Sequence, residues 1–599
     1  MTSILVFYAV AAMASPYLIY RLVGRLQLSR AKHPSLRGHS NLSRRVARLI
    51  PFFSYSEHGF FASDGAPPAV QQQRRKAIRG LQANAERQCA ETLAHCRAIQ
   101  NSVSDVRFTS RYRVPFPYSR QLPDCFLLDS MADETRSSQV RDLDGNWRYD
   151  LSGSYGVNVF GYDFYKQCID EGIAQTKALG PVLGTYHPLI AENVNIIRQV
   201  SGLDEVSFHM SGTEAVMQAV RLARYHTGKT HLVRFCGAYH GWRDGVQPGI
   251  GNTRKARDVY TLADLSEQTL HVLRTRNDIA CVLINPLQAF HPNSDAPSDT
   301  ALIASDRSDG FNKQRYSEWL TQIRDVCTER GVVLIFDEVF TGFRLAYRGA
   351  QEFYGVQADL VTYGKTLGGG LPVGVLAGTQ KLMQRFKDNQ PANVSFARGT
   401  FNSHPYVMGA MNVFLNRIGQ SDIQQQYLES ESLWDTRVAQ FNERLESEGL
   451  PLQITNIHSI LSVLYTLPGR YNWMFQLYLR QAGLELSWTG TGRLIMTYRF
   501  TDDDFNQVIE RFVSAAHQMQ ADGWWWQSPE LTNKAIKRQF LVDMLTARFP
   551  FLAGRLSGPL ATFREKSAEE SGEESGEKSG KEPGSGPATN QRQYSRKVD

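Results

Sequence analysis

Between residues 174 and 415 the chain alternates amphipathic stretches of helical period with short apolar runs, among them 231–235, 280–284 and 332–336. Runs that are apolar at every position are strands buried on both faces. Their alternation with helices predicts an α/β fold, a large mostly parallel sheet covered on both sides. Ligands in such folds collect at the carboxyl ends of strands and at helix N-termini. Residues 416–530 return to mixed helices and strands and finish in a helix near 502–519, which reads as a smaller C-terminal α+β domain with the site at the junction.

Upstream, Asp142-Leu143-Asp144-Gly145-Asn146 reads as a turn between two short strands, and apolar residues at helical spacing over 71–100 predict one exposed helix. Residues 2–20 hold no charge and are just long enough to cross a bilayer as a helix; a cleaved or merely buried helix is the competing reading. Taken as a single-pass N-terminal transmembrane helix, with the basic residues after it, the segment places the catalytic body on the cytoplasmic side of a membrane. The resulting plan is an anchor over 2–20, a basic linker and helix over 21–105, a leading segment over 106–173, the large domain over 174–415 and the small domain over 416–530. An amphipathic segment over 531–563 and a Ser/Gly/Glu/Lys-rich tail over 564–599, expected to be disordered, complete it.

Composition narrows the class. A hydrophobic share of 42% and a mean hydropathy of −0.35 exclude a polytopic membrane protein and a wholly disordered chain. The net charge of +7 gathers near the N-terminus, around Arg21, Arg25, Arg30, Arg44, Arg45 and Arg48, rather than on the body of the chain, so no nucleic-acid footprint is expected. The seven cysteines are scattered without a C-x-x-C pair or a His/Cys cluster, which predicts no disulfide framework, no metal site and a reducing compartment.

Three motifs carry chemistry. Ser211-Gly212-Thr213-Glu214-Ala215 follows a strand-like run and opens a helix; small residues there let backbone N–H groups approach a phosphate, although the same string is an ordinary helix cap. The run 332–336 ends in Asp337-Glu338-Val339, and a strand-end carboxylate can pair with a cationic ring nitrogen or simply begin a turn. Gly364-Lys365-Thr366-Leu367-Gly368-Gly369-Gly370 places one lysine after an apolar strand and before a glycine run. In a partly desolvated cleft that amine loses proton affinity and becomes an imine-forming nucleophile; in an open loop it stays an ordinary solvated lysine.

The order of these motifs resembles the class III aminotransferases, and within them the glutamate-1-semialdehyde 2,1-aminomutases, over roughly residues 113–512. Tyr239-His240-Gly241, the stretch from Phe336 through Thr341-Gly342-Phe343-Arg344, and Gly399-Thr400-Phe401 add to the match. The resemblance implies the fold-type-I architecture of PLP-dependent transferases and pyridoxal 5′-phosphate (PLP) as cofactor. It makes Lys365 the Schiff-base lysine and proton shuttle, and Asp337 the partner of the pyridine nitrogen. Tyr239 and Val339 would flank the ring, Gly212 and Thr213 would bind the phosphate, and Gln288 would lie near the ring hydroxyl. Thr400 would reach the phosphate of a neighbouring subunit, which implies a homodimer with shared sites.

The departures point to a different substrate. Asn285-Pro286 stands where the family usually has Glu-Pro, and Arg111-Tyr112-Arg113-Val114-Pro115 replaces the aminomutases' Ser-Pro-Val-Arg, leaving Arg113 as the candidate for a substrate carboxylate. Ser154-Tyr155-Gly156-Val157 replaces Ser-Trp-Gly-Pro, which puts Tyr155 in the expected substrate pocket. The leading expectation is a membrane-anchored transaminase passing an amino group from an amino-acid donor to an aldehyde or ketone, with an apolar or lipid-like acceptor. An intramolecular aminomutase is the alternative, and a catalytically inactive membrane scaffold of the same fold is the third.

Overall fold

In the computed structural model, residues 2–32, 40–128, 130–247, 251–254, 257–287, 312–487 and 492–552 are described, with only the backbone for 2–15 and 40–43. Gln288, the end of the amphipathic segment and the 564–599 tail lie outside these residues. The apolar runs form a seven-stranded sheet in the order Glu205–His209, Gly374–Gly378, Leu360–Gly364, Val333–Asp337, Ile279–Ile284, His231–Phe235 and Val259–Leu262. Gly374–Gly378 runs antiparallel to both neighbours and the remaining pairs are parallel.

Alternate side chains of the central strands enter two different cores. Val333 and Ile335 pack with the helix Gly212–Thr227, through Val216, Ala219 and Leu222. Leu334 and Phe336 pack on the other side with Lys313–Arg330 and Pro405–Ile418, through Ile323, Met411 and Phe414. Burial on both faces is why these strands lack the polar alternation of a surface sheet.

A second core belongs to the smaller unit. A three-stranded antiparallel sheet, Leu452–Ile457, Ile460–Tyr465 and Arg493–Ile495, packs with the helices Ser421–Ser447 and Asp502–Ala521 around Trp434, Phe441, Phe505 and Phe512. The same core takes in Phe53, Phe60, Ile78 and Leu81 from the N-terminal part and Ile536 from the helix Asn533–Arg548. Residues read as linker and as a separate amphipathic segment are therefore parts of this unit.

Where the sequence reads as one exposed helix over 71–100, the structure has two, Pro68–Gln88 and Ala90–Ile99, broken at Cys89. The first is not exposed all round. Arg74 is fully buried, paired with Asp64 at 2.6 Å and donating to the carbonyls of Phe61 and Gly523, so a polar residue holds the helix to the body.

The charge-free segment 2–20 belongs to a longer helix, Thr2–Arg30. Among the described residues no helix is long and apolar enough to cross a membrane, so the expected transmembrane anchor finds no support there. The far end of this helix docks on the large unit: Leu28 and Ala31 join its core, and Ala263 N–H donates to the Ala31 carbonyl at 2.9 Å.

Candidate active site

Five strands deliver their carboxyl ends to one cavity of about 530 Å³, lined by Gly212, Thr213, Tyr239, His240, Asp337, Val339 and Lys365 among others. Six of the residues singled out by sequence, all of these but His240, thus meet there. Ser211 ends an extended stretch and caps the helix Gly212–Thr227, its hydroxyl accepting from Glu214 N–H at 3.3 Å. The first N–H groups of that 16-residue helix and its positive dipole end face the cavity, an anion-binding geometry. Backbone approach is close: a Cβ at Gly212 would fall 2.7 Å from Val339, and one at Gly241, where φ is +82°, would fall 2.3 Å from Thr213 Oγ1.

Asp337 closes the strand Val333–Asp337 with both oxygens engaged. Oδ1 accepts from Thr362 Oγ1 at 3.1 Å and Val339 N–H at 3.2 Å, and Oδ2 lies 2.7 Å from His240 Nδ1. Burial holds the His240 imidazole below its usual range although Asp337 opposes this, so the ring is neutral near pH 7. Nδ1 then carries the hydrogen, because a carboxylate only accepts. His240 Nε2 is buried with no partner among the described residues.

Lys365 follows the strand Leu360–Gly364 at φ +48°, left-handed backbone that costs a non-glycine residue about 1 kcal/mol or more and is often retained at functional sites. Its Nζ sits 4.9 Å from the Phe340 ring centre. Burial pushes the ammonium down to about 8, with Asp337 opposing the shift and Arg344 adding to it. A substantial neutral fraction at neutral pH is what an amine nucleophile and proton carrier needs.

The buried Arg344 guanidinium ties the site together. It donates to Ser459 Oγ at 3.0 Å and the Met496 carbonyl at 2.9 Å in the small unit, and to the Asn158 carbonyl at 3.2 Å. The stretch 153–158 is thereby fixed against Phe340; a Cβ at Gly156 would strike that ring at 2.3 Å. Val157 lines the cavity, whereas Tyr155 does not: its side chain is over half exposed beside the stretch.

Arg113 is placed elsewhere as well. It is buried against the small unit, donating to the Leu127 carbonyl, and does not line the cavity. The arginine that does is Arg493, on the strand Arg493–Ile495, held down to about 10 by burial. Sequence reasoning gave it no role, since an isolated arginine after a glycine carries no local signal. His240 was within reach, sitting inside the quoted Tyr-His-Gly motif. Thr400 is exposed in the stretch from residue 393, which the Tyr225–Asn393 hydrogen bond and the approach of Gly399 to Glu214 seat beside the Gly212–Thr227 helix.

Comparison with known proteins agrees with this geometry. The family model described as aminotransferase class-III matches residues 126–516. A glutamate-1-semialdehyde 2,1-aminomutase of Nitratidesulfovibrio vulgaris (strain DP4) is 31% identical over 389 residues, 62% of this chain and 88% of that protein. One from Methanosarcina acetivorans is 32% identical over 349 residues, 55% and 75% respectively. Among solved structures, a transaminase with PLP bound superposes with a TM-score of 0.55 at 25% identity, covering 66% of this chain and 92% of that one. A glutamate-1-semialdehyde aminomutase from Pseudomonas aeruginosa PAO1 reaches 0.59 at 18% identity, covering 75% and 98%, a likeness of fold.

Proposed function

This chain belongs to the class III aminotransferase family and is a PLP-dependent enzyme, and on that premise we propose that it is a transaminase taking an amino group from an amino-acid donor and delivering it to an aldehyde or ketone with an apolar body. The observation that carries the acceptor class is the cavity wall, where Val157, Val216, Phe340, Leu371 and Val373 surround the polar centre.

The donor set fits the cofactor: a helix N-terminus for its phosphate, a held carboxylate for its ring nitrogen and a low-affinity amine for its aldehyde. Bound pyridoxal 5′-phosphate supplies an aldehyde carbon for amines and a ring that withdraws electrons. Gly212 and Thr213 would hold the phosphate, and Tyr239 and Val339 would flank the ring. Asp337, fixed by Thr362 and His240, would keep a hydrogen on the ring nitrogen. Lys365 Nζ would take the proton lost from the donor's α-carbon in the first half-reaction and supply the proton gained by the acceptor's carbonyl carbon in the second, and Phe340 beside it keeps bulk water off the amine. Arg493 would receive the donor's carboxylate, the task that sequence gave to Arg113.

A homodimer completes this reading. Tyr239, which lines the cavity, and Trp242, Tyr186, Phe396 and Phe401 all stand exposed, and large exposed apolar side chains are what subunit interfaces cover. An aminomutase acting on glutamate 1-semialdehyde is the second reading, favoured by the relatives near 30% identity. A half-reaction screen separates the two: the PLP form is mixed with single amino acids, then with long-chain or small semialdehyde acceptors, and its absorbance is followed. Donor-dependent conversion followed by recovery with long-chain carbonyls is expected. Turnover of glutamate 1-semialdehyde without added donor, and none with apolar carbonyls, would overturn the transaminase reading.

A further inference from the structure

A face on the small-unit side carries apolar and cationic side chains that the catalytic site does not use. Two helices build it, Ser104–Tyr112 and Asn533–Arg548, bridged by the stretch 52–53. Beneath the surface Phe53 joins them, its ring 5.5 Å from Phe116 and 5.6 Å from Phe540. Tyr55 and Arg470 hold Asp543 from below at 2.9 and 3.2 Å, which turns the last helix's one carboxylate inward.

What points outward is of two kinds. Phe52 is 47% exposed and lies under the guanidinium groups of Arg111 and Arg120 at 5.5 and 4.4 Å; Phe108 and Tyr112, each 54% exposed, pair at 4.9 Å. On the last helix Leu541 and Leu545 stand exposed one turn apart, with exposed Lys537, Arg538 and Arg548 around them. The two helices hold six arginines and lysines against two carboxylates, Asp105 and the inward Asp543.

We propose that this face rests on an anionic lipid surface, the aromatic and leucine side chains entering the acyl boundary while the arginines and lysines meet the headgroups. Exposed rings and leucines among long cationic side chains are the composition that lies in a membrane interface. A second copy is the poorer occupant, because a two-fold contact would set this cationic face against itself. The proposal does not depend on which carbonyl compound is aminated, nor on whether Thr2–Arg30 enters a bilayer.

The test is vesicle flotation with the full-length holoenzyme, using phosphatidylcholine alone and phosphatidylcholine with about one-third phosphatidylserine. Leu541→Asp/Leu545→Asp and Arg107→Gln/Arg538→Gln, at exposed positions, are compared with the unaltered chain, so any contribution of Thr2–Arg30 is common to all. Binding at least about tenfold tighter to the anionic vesicles, weakened by salt, and a loss of about tenfold in each double variant with unchanged amine turnover are expected. Equal binding to neutral vesicles, or variants that bind as the unaltered chain does, would overturn the proposal. So would a change in particle mass in the leucine variants without loss of flotation, which would make the face a subunit contact.

Discussion

At the scale of single residues, the site depends on two shifted bases and the carboxylate between them. Lys365 titrates near 8, so its neutral fraction grows through the neutral range. Uptake of pyridoxal phosphate by the cofactor-free protein, followed by absorbance, is expected to rise roughly tenfold from pH 7 to 9 and then level off, whereas an ordinary lysine would keep gaining beyond pH 10. In the proposed site His240 would act through Asp337. Its replacement by alanine removes the 2.7 Å partner of Oδ2 and is expected to lower kcat by about tenfold to a hundredfold, with Asn at that position recovering part of the loss. A steady-state comparison of His240→Ala, His240→Asn and Asp337→Asn checks this; equal kcat in the first and the unaltered enzyme would remove His240 from the site. None of these effects was readable from one residue at a time, because a buried histidine and a solvated one look alike in sequence.

Among elements, the turn at 142–146 does more than join strands Gln139–Asp142 and Trp147–Asp150. The Asp144 carboxylate accepts the Glu91 and Thr92 N–H groups at 2.8 and 2.9 Å, capping the helix Ala90–Ile99 from a distant part of the chain. Burial works against the charged form, but these N–H donors outweigh it and hold the carboxyl below its usual range. A lowered carboxylate adds stability above its unfolded pKa and loses it as pH falls through the folded value, so the contribution disappears in acid, below the ordinary carboxylate range. Asp144→Ala is expected to cost about 1 kcal/mol in urea unfolding at pH 7, with the difference from the unaltered chain shrinking in acid. The turn was legible as a turn; its second task was not, since the helix it caps begins some fifty residues earlier.

For the whole molecule, the proposed shared-site dimer gives a mixing test. If Thr400 serves the partner's phosphate, Lys365→Ala and Thr400→Asp are each inactive, and a refolded equal mixture regains about a quarter of the unaltered enzyme's activity, because half the dimers carry one intact site. No recovery from species that do form mixed dimers would place Thr400 in its own subunit's affairs. The sequence by itself determined the large sheet, the helix start after Ser211, the strand-end Asp337 and the placement of Lys365. These rest on local rules: period, capping and the carboxyl ends of strands, which neighbouring residues encode. Tertiary structure alone decided that Arg493 lines the cavity and Arg113 does not, that Arg344 bolts the stretch 153–158 to the small unit, and that residues 53–81 share a core with 434–525. Those contacts join positions far apart in the chain, and which long-range pair meets depends on how the two cores pack rather than on the residues beside either partner.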